Sequence, residues 1–234
     1  MIKKLTVLAV AAVVGTIVVV GLNKKPDYTN QEVLNQNLEQ TSINNLFTNQ
    51  SEPNRGLKPK KVIKPLEVNN ERTLNLSFPI QDGPNFDDFK NKLSEMSKTD
   101  EPIFLLIDSP GGSVVLGNQI LSLMEASEGP VYTVCISFCA SMAAIILEHG
   151  TKRFALDRTV IMFHDAAGGM QGSLEQMNGL LQFYRRMIEK TNRHIAERSG
   201  MSLEKFLSLE AHELWIDSED AKNMNLLDDL VKLK

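Results

Sequence analysis

At 234 residues, 42% of them hydrophobic, the chain is long enough to bury one substantial core with an appendage. Its net charge is −4, with acids and bases interspersed, and no basic stripe or aromatic–arginine pattern supports nucleic-acid binding. Neither a P-loop nor a glycine-rich dinucleotide fingerprint occurs, which argues against an ATPase activity of its own.

The chain opens with MIKK, then an uncharged run from Leu5 to Leu22, then NKKPD. Eighteen helical residues reach about 27 Å, just short of a typical hydrocarbon core. The run is longer than the hydrophobic region of most cleaved signal peptides, and its small residues lie mainly inside it. It is therefore read as an uncleaved signal anchor over residues 1–22, with a cleaved signal as the alternative. The flanking lysines nearly balance, and the very short N-terminal tail favours a non-cytoplasmic position for the rest. Residues 23–72 are rich in Asn, Gln, Lys and Pro and are expected to form a flexible linker.

A domain is expected over residues 73–234. TLNLSFPI alternates like a strand, and Phe86, Phe89 and Leu93 recur at helical spacing. PIFLLID, VYTVCIS and VIMFH are short apolar runs suited to strands buried on both faces, separated by the helical segments VLGNQILSLMEAS and SMAAIILEHG. This alternation predicts an α/β domain with mostly parallel strands. Ser173 and Gln176 form a capping box opening a long helix that Gly200 ends. Its apolar stripe runs through Leu174, Met177, Leu181, Tyr184, Ile188 and Ile195, as core packing or as a partner face. Cys135 and Cys139 fall in or beside one predicted strand, about 13 Å apart if extended, too far for a mutual disulfide. They read as small buried hydrophobes, and no further cysteine supports a zinc cluster.

Four features carry possible chemistry. DSPGGS, residues 108–113, follows a buried strand, and its glycines let the backbone approach a ligand. Ser141 stands where a strand gives way to a helix, as an N-cap or as a nucleophile beside the Met142 amide. His164 ends an apolar strand, where a histidine is either structural or a base. A set of carboxylates follows between residues 210 and 220. Together they supply the parts of a serine hydrolase.

LLIDSPGGSV, CISFCASMAAIIL, KRFAL, VIMFHDAAGG, QG and SLEKF occur in the order and near the spacing of one family. Through these segments the chain resembles the Clp protease proteolytic subunit (ClpP), a serine peptidase of the crotonase-like fold. The resemblance covers roughly residues 103–231. It implies a repeated ββα spiral, with Ser141 as nucleophile, His164 as general base, and the amides of Gly112 and Met142 as oxyanion hole. Followed without a gap from SLEKF, the family's catalytic aspartate falls on Glu213, one methylene longer. No cofactor or metal is implied. GGMQG and the helix after it keep the element that joins rings in the family, so a homo-oligomer acting on polypeptides is expected. The segment before residue 103 and the pair Ala211–His212 depart from the family pattern, which argues against stacked rings fed by an AAA+ unfoldase.

The reading is thus a membrane-tethered serine endopeptidase. A signal-peptide-peptidase-A-like Ser–Lys enzyme, with Lys152 as candidate base, is the alternative of the same fold. A non-catalytic ClpP-like assembly protein and a crotonase-type acyl-CoA enzyme are the others.

Overall fold

The computed structural model describes residues 63–234 apart from Met170. The described residues belong to one compact unit. The anchor expected at Leu5–Leu22 and most of the expected linker lie outside the described residues. Among the described residues no helix is long and apolar enough to cross a membrane.

Among the described residues eight strands form one sheet: β1 Lys64–Leu66, β2 Thr73–Leu76, β3 Ile103–Ser109, β4 Val131–Ala140, β5 Lys152–Ala155, β6 Val160–Phe163, β7 Leu214–Asp217 and β8 Asp229–Leu233. The main order is β1-β8-β5-β4-β3-β2; β6 also pairs with β4, and β7 pairs with β6. Every pairing is parallel except β6–β7. The alternating strands and helices therefore build the mostly parallel α/β sheet expected from sequence. One boundary moves: Lys64–Leu66 already pairs with Val231–Leu233, so the linker expected to reach residue 72 gives way to the sheet earlier.

The helices are α1 Pro84–Met96, α2 Val114–Glu125, α3 Met142–Glu148, α4 Leu174–Ser199, α5 Leu203–Glu210 and α6 Ser218–Asn223. Phe86, Phe89 and Leu93 are the buried face of α1. Nearly all of α3 is buried, from Met142 through Glu148 except Ile145. Glu148 is fully buried yet paired, accepting from Arg153 Nη1 at 2.9 Å, while the Arg153 Nε meets Asp228 at 3.2 Å. Burial pushes the Glu148 carboxyl up to about 8, with the guanidinium pulling the other way. The pair ties the end of α3 to β5 and the turn before β8.

β4 is where sequence reasoning failed. Cys135 and Cys139 are joined by a disulfide, with Cα atoms 6.1 Å apart rather than the 13 Å of a regular strand. The cause is a bulge: β3 advances from Ile107 to Ser109 while β4 advances from Cys135 to Cys139. Four residues thus cover the rise of two, about 6.6 Å in extended chain. Asp108 holds the bulge, its Oδ1 accepting from the Phe138 amide at 3.2 Å. The expected burial of both cysteines is met, since both are fully enclosed.

Candidate active site

β3 and β4 end side by side, and the chain leaves each by a turn that brings DSPGGS against Ser141. A bridge between Ile80 and Gly112 fixes the first turn. Its bonds come from the flanking residues: the Ile80 amide donates to Gly111 O at 2.8 Å, and the Ser113 amide to Ile80 O at 2.7 Å. The Gly112 N–H therefore faces away from the bridge. Both glycines have positive φ, +84° at Gly111 and +143° at Gly112. A Cβ on Gly111 would lie 2.5 Å from Ala140 O and 2.9 Å from Ser141 Cβ; one on Gly112 would lie 2.3 Å from Ile80 O. The glycines are thus what lets this loop lie against the serine turn.

Ser141 has φ 56° and ψ −127°, a sparsely populated conformation for a residue with a side chain. It precedes α3, but its side chain makes no capping bond. The reading of Ser141 as an ordinary cap therefore fails. Its amide is anchored to Met162 O of β6 at 2.8 Å. The Met142 N–H, first in the helix, has no intrahelical acceptor.

Ser141, Met142, Gly112 and His164 all line one small cavity of about 70 Å³. His164 follows β6, half-buried, with Nδ1 2.6 Å from its neighbour's carbonyl, Asp165 O. In the neutral tautomer with hydrogen on Nδ1, that carbonyl is the acceptor and Nε2 keeps its lone pair. Glu213 does not line the cavity. The antiparallel register pairs Met162 with Trp215 and Phe163 with Leu214. The next step along that register sets Glu213 across from His164. Its Oε2, however, accepts from Trp215 Nε1 at 3.3 Å, and its backbone turns to φ 55°. Glu213 thus adjoins the strand paired with β6, but its side chain is bonded to Trp215 rather than to His164. Asp217, another of the carboxylates between residues 210 and 220, caps α6 by accepting from the Asp220 amide.

The opposite wall comes from α4 and α5; Glu210 is among the candidate carboxylates, but the contribution of α4 was not foreseen. Ile188, Thr191 and Asn192 of α4 and Glu210 of α5 line the same cavity. Asn192 Nδ2 donates to Glu210 Oε2 at 2.6 Å, and both side chains are buried. Burial, with the negative charge of Asp165, pushes the Glu210 carboxyl up to about 7 despite the Asn192 bond. One signal could have found Asn192: it interrupts the apolar stripe between Ile188 and Ile195 at helical spacing. Several of these residues also border a larger groove of about 1080 Å³ under the Asp165–Gly169 segment and α4. Lys152, the base of the Ser–Lys alternative, starts β5 and does not line the cavity. Among the described residues no cluster suited to a metal ion occurs.

An α/β sheet whose strand ends bring a strained serine, a histidine, Gly112 and Met142 to one cavity has the layout of a hydrolase site. The Clp protease family model matches residues 66–234, and the chain belongs to that family. It is 33% identical over 172 residues to the ATP-dependent Clp protease proteolytic subunit 1 of Streptomyces coelicolor. That match covers 69% of this chain and 74% of the relative.

Proposed function

We propose that this protein is a serine endopeptidase working through Ser141, His164 and Glu213. The observation that carries the reading is Ser141 itself: strained, uncapped, and sharing a cavity with His164, Gly112 and Met142. Ser141 Oγ attacks the scissile carbonyl carbon as its proton passes to His164 Nε2. The amides of Gly112 and Met142 receive the oxyanion. The tetrahedral adduct collapses with cleavage of the C–N bond, and the imidazolium gives its proton to the leaving amine. Water, deprotonated by the same imidazole, then releases the acyl group and restores Ser141. Glu213 takes the Nδ1–H of the imidazolium by leaving its single exposed bond to Trp215; in the resting site the Asp165 carbonyl holds that position. Glutamate fills this role in other hydrolases.

The same reading places the peptidase outside the cytoplasm, tethered by Leu5–Leu22, self-associated through α4 and independent of an unfoldase. Its support is the uncharged N-terminal run together with the exposed apolar residues of α4, with Leu174 83% and Phe183 50% exposed.

One experiment tests chemistry and tether together. The full chain is recovered from carbonate-washed membranes, treated with a fluorophosphonate and weighed intact and after digestion. The expected adduct sits on Ser141, is absent from Ser141→Ala and His164→Ala, and the mass retains residues 1–22. Equal labelling of the variants would overturn the catalytic assignment; a mature chain beginning near Asn23 would replace the anchor with a cleaved signal.

A further inference from the structure

The cavity that holds Ser141 has a buried acidic wall. Glu210 is 5% exposed and Asn192 is 1% exposed. Asn192 uses its amide hydrogens on Glu210, and its own Oδ1 is buried with no hydrogen-bond partner. A buried acceptor without a donor is costly, and here it belongs to the lining of a cavity beside a nucleophile. The second carboxylate oxygen of Glu210 adds acceptor capacity at the same wall. Asp165 contributes further negative potential, and no lysine or arginine lines the cavity. An ordinary peptidase pocket for aliphatic side chains would leave these oxygens desolvated and unmatched.

We propose that Glu210 and Asn192 select substrates with a cationic side chain, lysine or arginine, on the residue that becomes acylated to Ser141. This rests on the serine-peptidase reading, because only the residue whose carbonyl is attacked places its side chain beside Ser141. An ammonium or guanidinium group donates to the Asn192 Oδ1 and forms a charge-assisted bond to Glu210. The raised Glu210 carboxyl fits this role, since a bound cation favours its ionised form. Discrimination is one-sided: a site built to meet a donor rejects the analogue lacking it far more strongly than a hydrophobic pocket rejects a shorter chain. Ile188 and Ile145 supply the apolar flank that a lysine or arginine stem requires.

The test uses two peptidyl diphenyl phosphonates, identical except for lysine or norleucine at the reacting residue. Each phosphonylates Ser141, the serine oxygen bonding to phosphorus as one phenol leaves, so the readout does not depend on turnover of the acyl-enzyme. The rate of adduct formation on Ser141 of the full chain is followed by mass spectrometry at pH 8. The lysine probe is expected to react at least about tenfold faster. Glu210→Gln, similar in size but uncharged, should cut the lysine-to-norleucine ratio at least about fivefold, and Glu210→Leu should bring it below one. The ratio within each variant is the measured quantity, so a general loss of reactivity cancels, and Glu210→Gln suffices if Glu210→Leu does not fold. Equal or faster reaction of norleucine, a ratio unchanged in the variants, or reaction with a small fluorophosphonate but neither peptide probe would overturn the preference alone. No adduct on Ser141 with any probe, the small fluorophosphonate included, would overturn the peptidase reading and the preference with it.

Discussion

The two walls of the cavity are built on different principles. On one side, Gly111 and Ser113 are bonded to Ile80 beyond β2 and Ser141 to Met162 of β6, and a Cβ on Gly111 or Gly112 would lie within 2.5 Å of a backbone oxygen. On the other, Asp165 to Gly169 is exposed, and α4 is seated only through its second half. That half buries Thr191, Asn192, Ile195, Ala196 and Ser199, whereas Leu174, Leu180, Leu181 and Phe183 in the first half are exposed. Under the proposed function, the contrast separates a wall that fixes the reacting atoms from one that admits the substrate and meets other copies. Rigid backbone belongs where an ångström of displacement costs rate, and side-chain surface belongs where partners must come and go.

The sharpest way to break the comparison is to disturb the tight wall. Gly111→Ala puts a Cβ 2.5 Å from Ala140 O at a φ of +84°, so either the loop or the Ser141 turn must shift. A displacement of about 1 Å is enough for a loss on the order of 100-fold, and kcat of a peptide substrate should fall accordingly. Near-normal turnover would show that the glycine loop is not what sets the serine. A smaller effect is expected at the edge between the walls. Glu213→Gln keeps shape and removes charge; the equivalent change in the chymotrypsin-type triad costs about 10⁴ in kcat. Here the Asp165 carbonyl already holds Nδ1, so the expected loss is at least about tenfold but below that of Gly111→Ala. Unchanged kcat would make the carbonyl the sole orienting group and remove Glu213 from the site.

The mildest effect on the folded chain should come from the open wall. Replacing Leu180 and Phe183 by serine touches side chains that are 44% and 50% exposed, so protomer stability should stay within about 0.5 kcal/mol per site. Sedimentation should nevertheless shift toward smaller species, since this is the apolar surface that the core leaves uncovered. Unaltered sedimentation with the wild type already associated would move the interface elsewhere.

Much of this architecture is legible in the chain because its signals are local. The buried strands announce themselves as apolar runs, Ser173 and Gln176 do form the reciprocal cap of α4, and Gly200 ends it in the left-handed conformation. The order of SPGG, Ser141 and His164 along the chain is likewise sufficient to nominate groups that share one cavity, since each sits at a strand end where the chain must turn.

Tertiary structure decided what depends on neighbours distant in sequence. The disulfide between Cys135 and Cys139 follows from a bulge that only pairing with β3 creates, because an isolated strand would keep the two cysteines apart. Asn192 and Glu210 are eighteen residues apart and reach the serine's cavity only because α4 and α5 fold back over it. Glu213 lies one residue before the β7 strand that pairs with β6, yet its side chain went to Trp215. Periodicity and capping fix where an element begins and which face is apolar, since they involve atoms a few residues apart. Which oxygen meets which hydrogen across a cavity is set by packing among whole elements, and that information is not local to any segment.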